Sequence, residues 1–374
     1  MLKVFISPSR YVQGRSATAS LPGLLKKIGL GNRFLILASK SARKILEPIW
    51  TPSFEHEGLF FEIENFGGEC SELEIERILV HAQRLKVDAI IGAGGGKVLD
   101  AARAVASRNH SGVVCCPTTA SSDAPCSALS VIYSESGVFE KCLFYKKNPD
   151  LVLVDTDVIV KAPIRLLISG MGDALATFFE AQSSSEAFKT NPAGGLATEA
   201  AKTIARLCYD TLLQDGVDAV TAARVGAITP AFDRIVEANT LLSGLGFESA
   251  GLCVAHSIHN GLTALPETHT KLHGEKVAFG TLVQLVLEGR PRETFEEVLN
   301  FCLDVGLPVS LKDLGITDTS RKHLMKVAER SLAEGETAHN LSFKPTIDSV
   351  LDAILTTNAL GEDAKSTSLG CECH

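Results

Sequence analysis

Val87-Asp-Ala-Ile-Ile-Gly92 is a mostly apolar run of strand length that leads through Ala93 into Gly94, Gly95 and Gly96 and then into the amphipathic run Lys97 to Ser107. A further apolar run, Val113-Val-Cys-Cys116, follows at once. A strand that enters a helix through a glycine turn and returns as a strand commits the segment to a parallel β-α-β unit. The flanking sequence agrees. Phe34 to Ala38 reads as a strand. Ser71 with Glu74 three residues on reads as a capping box, and Ile75, Ile78, Leu79, Ala82 and Leu85 then share one helical face. Ser130 to Tyr133, a Glu-Ser-Gly turn and Val138-Phe139 predict a hairpin, and Leu151 to Asp155 closes the series. From Pro163 strand-like alternation stops and Ala/Leu/Glu-rich helical patterns take over, with Pro230, Pro266, Pro291 and Pro308 marking helix ends or loops. At roughly 150 residues per domain, 374 residues suggest two. We expect an α/β nucleotide-binding domain over 1–162 and an all-helical domain over 163–374.

Composition narrows the partners. The net charge of −8 disfavours nucleic acid and anionic membranes, and no basic patch is present for a phosphate backbone. The N-terminal stretch has neither a long apolar run nor a cleavage pattern, and no segment reaches the ~20 apolar residues of a membrane span. The ten cysteines are scattered, and Cys115 and Cys116 adjoin within an apolar run. That usage predicts reduced, buried thiols in a cytoplasmic protein. At the C-terminus, Cys371, Cys373 and His374 read as a frayed tail or a stray metal site.

Two kinds of site are written in the chain. Gly94, Gly95 and Gly96 at a strand–helix junction let backbone N–H groups approach a pyrophosphate; a tight turn alone would use the same glycines. Val98 replaces the Ser/Thr of a P-loop, and Lys97 takes the third glycine position of the usual dinucleotide fingerprint. The loop from Pro117 to Ser127 adds hydroxyls, and its Asp123 is suited to accept hydrogen bonds from a polyol; an ordinary Ser/Thr-rich turn looks the same. The second site is the segment holding His256, His259, His269 and His273, four of the ten histidines, with Asp173 upstream in Gly-Met-Gly-Asp-Ala-Leu-Ala-Thr. One Asp and two His make three ligands and leave a coordination position open, as catalytic zinc sites require. Packed helix histidines would give the same local pattern.

Taken together, GAGGGKVLDAARA, PTTASSDAPCSALSVIY, GMGDALATFFEA, GLCVAHSIHNGLTALPETH and HGEKVAFGTLVQL resemble the glycerol dehydrogenases. These form the zinc-dependent polyol branch of the iron-containing alcohol dehydrogenase superfamily, and the matching segments run collinearly from about residue 5 to residue 340. The resemblance implies the dehydroquinate synthase-like fold: an α/β dinucleotide-binding domain plus an all-α metal-binding domain, with the active site in the cleft between them. It implies zinc held by Asp173, His256 and His273, which would also meet the substrate. Gly96, Lys97, Thr118, Ser121, Ser127, Leu129 and Tyr133 match nicotinamide dinucleotide positions, and Asp123 matches a glycerol contact with a catalytic orienting role. Iron-type relatives carry a further ligand His where this chain has Thr177, which favours zinc. His259 has no ligand role in this branch; one turn from His256, it reads as a proton relay, a substrate contact or a packed helix residue. One position departs from the pattern. Where an Asp usually receives the adenosine ribose, this chain has Ser39, with Lys40 and Arg43 nearby. NAD is the expected cofactor, and NADP becomes admissible. The implied reaction is the reversible oxidation of glycerol to dihydroxyacetone with hydride transfer to NAD(P) and zinc as Lewis acid. The alternatives are a dehydrogenase for another vicinal diol or a 2-hydroxy acid, and a lyase of the dehydroquinate synthase type. A homo-oligomer is implied, octameric in relatives.

Overall fold

The computed structural model describes residues 1–371. By internal contacts the chain forms two compact units, Ile6–Ile164 with Ala222–Gly244, and Met1–Phe5 with Arg165–Thr221 and Leu245–His374. The sequence reading set one boundary near residue 162. The contacts change at Ile164, and they also return Ala222–Gly244 to the first unit.

The first unit is built on strands β1 (Tyr11–Gly14), β2 (Arg33–Ala38), β3 (Phe60–Asn65), β4 (Ala89–Gly94), β5 (Gly112–Pro117) and β8 (Leu151–Asp155) in the order β1-β8-β5-β4-β2-β3, all parallel. Helices α1 (Ala17–Lys27), α2 (Lys40–Glu57), α3 (Glu72–Leu85) and α4 (Gly96–Asn109) cover it. Alternation along the strands feeds two cores. Phe34, Ile36, Ile91 and Val114 pack with Trp50 and Phe54 of α2, while Leu35, Leu37, Ile90 and Val113 pack with Ile75, Ile78 and Val105 of α3 and α4. Each such side chain, fully buried, is worth about 1.5–3 kcal/mol. The predicted hairpin is β6 (Leu129–Tyr133) with β7 (Phe139–Phe144), antiparallel. Ser71 caps α3 through Glu74 N–H at 3.3 Å. The Glu74 carboxylate accepts from Gly67 N–H and Arg77, so its partners differ from those of the capping box read in the sequence.

β1 and β3 carried no clear signal because they are the sheet's edge strands, and β3 alternates Glu62 and Glu64 into its apolar run. Helix α2 continues through Pro48 and Pro52. Both prolines face solvent, and the buried stripe Leu46, Trp50, Phe54 holds the opposite side.

After α5 (Thr156–Ile159), the rest of the chain supplies α6 (Ile164–Glu186), α7 (Glu199–Arg224), α8 (Pro230–Glu237), α9 (Ser243–Ala250), α10 (Val254–Leu262), α11 (His273–Leu287), α12 (Arg292–Val305), α13 (Arg321–Ser331) and α14 (Ile347–Cys371). Pro163 immediately precedes α6, and Pro230 is the first residue of α8 under a Thr229 cap. Between α8 and α9, Ala238–Leu242 forms a π-helical turn. This stretch is held to the sheet unit by Tyr11 Oη with Thr240 Oγ1 (2.8 Å), by Gln13 Nε2 donating to Asp233 O (2.8 Å) and by Asn239 Nδ2 donating to Ala120 O (3.0 Å). In the second unit, α10, α11, α13 and α14 enclose Ile258, Leu262, Phe279, Val283, Leu324, Val327, Leu351 and Ile354. Among the described residues no single helix is long and apolar enough to cross a membrane. The cysteines at 70, 115, 116, 126, 208, 253 and 302 are buried. Cys373 and His374 of the tail reading lie outside the described residues.

A buried ion pair supports the 117–127 loop. Arg103 donates to Asp100 and, at 2.7 Å, to Ala124 O. Both side chains are almost wholly enclosed. Removing one charge strands the other. Arg103→Met is expected to destabilise the protein by about 3–5 kcal/mol, and Asp100→Asn with Arg103→Met by clearly less. Urea denaturation of the two variants checks this.

Candidate functional site

Three helices of the second unit converge on one cluster. Asp173 comes from the middle of α6, His256 from the first turn of α10 and His273 from the first residue of α11. His273 Nε2 lies 2.9 Å and His256 Nε2 3.4 Å from Asp173 Oδ1, and the three donor atoms all fall within 4.8 Å of one another. A tetrahedral cation with bonds of about 2.0–2.2 Å spaces its donors roughly 3.3–3.6 Å apart, so the set fits one. Asp173 is buried, whereas the His256 and His273 side chains are 16% and 41% exposed, which leaves an approach from solvent. Burial alone would raise the Asp173 carboxyl. The imidazoles of His273 and His256 outweigh it and hold the group well below the usual carboxylate range.

Backbone contacts explain why the helices meet here. A Cβ on Gly274 would lie 1.7 Å from Ser169 O, and one on Gly172 would lie 2.4 Å from Gly274 O. Only glycine lets α6 and α11 touch, and the touching residues adjoin Asp173 and His273. A Cβ on Gly280 would meet Ala255 O at 2.4 Å, which brings α11 against α10 beside His256.

Glu180, two turns after Asp173 on α6 and fully buried, completes this layer. Its Oε1 accepts from the N–H groups of Cys253 (2.9 Å) and His256 (3.0 Å), and its Oε2 accepts from His256 Nδ1 (2.6 Å). The neighbouring N–H groups of Val254 and Ala255 donate to Gln284 Oε1. Side chains from α6 and α11 thus satisfy the orphan donors at the start of α10. Because Nδ1 serves Glu180, His256 presents Nε2 to the cluster. Burial lowers the His256 imidazole, but Glu180, then Asp173, raise it well above its ordinary value. The seven-residue spacing from Asp173 was the available sequence signal for Glu180.

His259 joins the cluster from behind, with Nε2 3.0 Å from His273 Nδ1 and Nδ1 3.0 Å from Asn260 Oδ1. Both ring nitrogens are thereby engaged. Burial first, then the charges of His273 and Lys276, press its imidazole well below the ordinary value, which keeps it neutral. His269 is exposed and meets Thr263 O instead. Thr177 is buried one turn after Asp173 and adds no imidazole.

The dinucleotide candidates gather at the C-terminal ends of the strands in the first unit. Ser39 N–H donates to Ala93 O and Thr118 N–H to Gly94 O, both at 3.1 Å, so the ends of β2, β4 and β5 are level. Gly94 has φ +152°, and a Cβ there would strike Val98 Cγ2 at 2.8 Å. Gly95 caps α4 without a side chain, so the N–H groups of Gly96 and Lys97 open the helix uncovered, as an anion site needs. Lys97 is held bidentately by Glu69 at 2.6 Å, with its ammonium 4.9 Å from the Tyr133 ring centroid. Sequence reasoning missed Glu69. Ser121 lies beside Thr119 (Oγ–Oγ1 3.1 Å), and Leu129 is half-buried at the start of β6. Ser127 is fully buried and donates to Ala124 O. Asp123 Oδ2 accepts from Ser243 Oγ at 2.8 Å. Ser39 caps α2 through Ala42 N–H, Lys40 is exposed, and Arg43 is paired with Glu47 at 2.8 and 3.1 Å.

Known proteins resemble this chain in sequence and fold. The family described as iron-containing alcohol dehydrogenase matches residues 8–156. The chain is 50% identical over 363 residues to a glycerol dehydrogenase of Citrobacter freundii, covering 97% of this chain and 99% of that protein. It is 47% identical to a glycolaldehyde reductase of Halobacterium salinarum, over 96% of this chain and 98% of the relative. The solved glycerol dehydrogenase of Schizosaccharomyces pombe superposes with a TM-score of 0.94 at 40% identity, covering 98% of this chain and 93% of that one.

Two substitutions separate the layers of the cluster. Glu180→Gln keeps the shape but weakens the hold on His256, and zinc affinity in a chelator competition is expected to fall about 10–100-fold. Gly274→Ala, which forces α6 and α11 apart, is expected to abolish stoichiometric metal binding, read by elemental analysis, while far-UV circular dichroism stays helical.

Proposed function

The chain belongs to the iron-containing alcohol dehydrogenase family, and on that footing we propose that it oxidises glycerol reversibly to dihydroxyacetone, with NAD as the hydride acceptor. The observation that carries the reading is the open three-donor set Asp173, His256 and His273, in a chain that aligns end to end with glycerol dehydrogenases. Zinc held there supplies Lewis acidity toward the alcohol oxygen, and the bound nicotinamide supplies the redox partner. Thr177, in place of a third imidazole donor, supports zinc over iron.

The chain's own residues divide the remaining work. Gly94, Gly95 and Gly96 give the pyrophosphate close access to the N–H groups that open α4. Thr118 and Ser121 offer hydroxyls to the dinucleotide, while Lys97, Ser127, Leu129 and Tyr133 form the wall around it. Asp123, steadied by Ser243, accepts a hydrogen bond from a polyol hydroxyl and sets the substrate's orientation. His259, with both nitrogens occupied, acts on the ring of His273 and not as a free base.

Ser39 carries no charge to repel a 2′-phosphate. Arg43 is committed to Glu47, but an exposed i,i+4 pair is worth only about 0.3–0.5 kcal/mol and is readily exchanged for a phosphate. NAD therefore comes first, with NADP accepted as a second cofactor. The likeness to a glycolaldehyde reductase supports a second substrate reading, because reducing glycolaldehyde yields ethylene glycol, the smallest vicinal diol. A 2-hydroxy acid has weaker support, since a hydroxycarboxylate dehydrogenase of Escherichia coli is 32% identical against 47% for the glycolaldehyde reductase, and the lyase alternative fits poorly with an alcohol dehydrogenase family. A cytoplasmic homo-oligomer is the setting we infer.

Glycerol-dependent reduction of NAD and NADP, assayed side by side after chelation and after zinc return, tests the proposal. Activity is expected to vanish on chelation and to return with zinc, faster with NAD. Asp173→Ala and His256→Ala are expected to lose metal and nearly all turnover. Turnover by metal-free protein, or loaded enzyme inert toward every vicinal diol, would overturn the reading.

A further inference from the structure

Asn260 imposes a direction on the hydrogen bonds behind the metal cluster. Its Nδ2 donates to Glu336 Oε2 at 2.9 Å, and Arg330 donates to the other oxygen of Glu336. A carboxylate in an ion pair returns no proton, so the Asn260 amide is fixed with its oxygen toward His259. That oxygen lies 3.0 Å from His259 Nδ1 and can only accept. His259 therefore carries its proton on Nδ1, and its Nε2 lone pair faces His273 Nδ1 at 3.0 Å. The contact closes when His273 donates from Nδ1, which makes Nε2 the nitrogen that gives up its proton when a cation replaces the hydrogen bond to Asp173. Nε2 is the atom that joins the cluster, 2.9 Å from Asp173 Oδ1.

We propose that His259 is a positioning residue: at the end of the chain Arg330–Glu336–Asn260–His259, it selects the Nδ1–H tautomer of His273 and keeps Nε2 available to the cation. The inference rests on Asp173, His256 and His273 being metal ligands. The two imidazoles then reach one tautomer by different means. Glu180 grips His256 directly, whereas His273, at the solvent side, is set by a relay whose anchoring carboxylate lies 76 residues from Asn260 in sequence. The segment bearing Glu336 is itself fastened to α10, with Thr337 Oγ1 donating to Cys253 O (2.6 Å) and Ala338 N–H donating to Ser257 Oγ (2.7 Å). The relay and the ligand helix therefore keep one register. A neutral imidazole without such a partner divides its proton between two nitrogens, and only one of the two forms binds metal through Nε2.

The test uses full-length protein, zinc affinity by competition with a chromophoric chelator, and nitrogen NMR of labelled histidine in the zinc-loaded form. His259→Leu is expected to lower zinc affinity about 10–100-fold. His259→Gln, whose amide oxygen accepts from His273 Nδ1, is expected to recover most of that loss, although leucine is the better packing residue. Glu336→Gln lets Asn260 turn over; it is expected to show His259 as a tautomer mixture and to weaken zinc binding, and to have no further effect in the His259→Leu background. Should His259→Leu fail to fold, the near-isosteric Glu336→Gln decides alone. Wild-type zinc affinity in His259→Leu, no recovery in His259→Gln, or a single unchanged His259 tautomer in Glu336→Gln would overturn the inference. Failure of the wild-type protein to bind zinc would overturn the metal-centre reading instead.

Discussion

Through one oxygen the Glu180 carboxylate takes the N–H groups that open α10, and through the other it takes His256 Nδ1. A buried anion at a helix N-terminus is favoured by the helix dipole and by the unpaired N–H groups, and each charge-assisted bond is worth more than a neutral one. The same carboxylate thus fixes where α10 begins and which nitrogen His256 shows to the cluster. It also adds a second buried negative charge close to Asp173. Two enclosed carboxylates need cationic partners, which the imidazoles supply here and a divalent cation at the three-donor set would supply in their place.

Precision in the cluster comes from absence of side chain as much as from its presence. Gly172 and Gly274 let two helices touch through backbone, and the residues next in sequence are Asp173 and His273, two of the candidate metal donors. Helices packed through ordinary side chains stand about 8–10 Å apart, and backbone contact lets these two approach more closely. Gly280 against Ala255 repeats the device on α10.

The sheet unit solves a different problem with the same economy. Level strand ends bring Ser39, Gly94 and Thr118 to one rim, and the helix opening after Gly95 turns uncovered N–H groups toward it. The fully buried Arg103 supports the adjacent loop from beneath through Ala124 O. Glu69 occupies Lys97, so the charge beside the glycine loop is already balanced, and anion binding there depends on backbone N–H groups.

Local chemistry was legible along the chain. Apolar runs ending in Gly94–Gly96 or at Asp155 announced parallel strands, Ser71 announced a helix start, and the Asp and His types announced candidate metal donors, because each of these depends on near neighbours. The edge strands β1 and β3 escaped because half-solvated strands have no continuous apolar signal, and α2 was masked by prolines that its buried stripe overrides. Sequence determined which residues were able to bind a metal and a dinucleotide. Tertiary structure alone decided that Asp173, His256 and His273 meet, that Glu180 and Glu336 stand behind the imidazoles, and that Glu69 holds Lys97. These contacts join residues from 17 to 100 positions apart, and no local pattern encodes a carboxylate's partner until packing brings the two within hydrogen-bond reach.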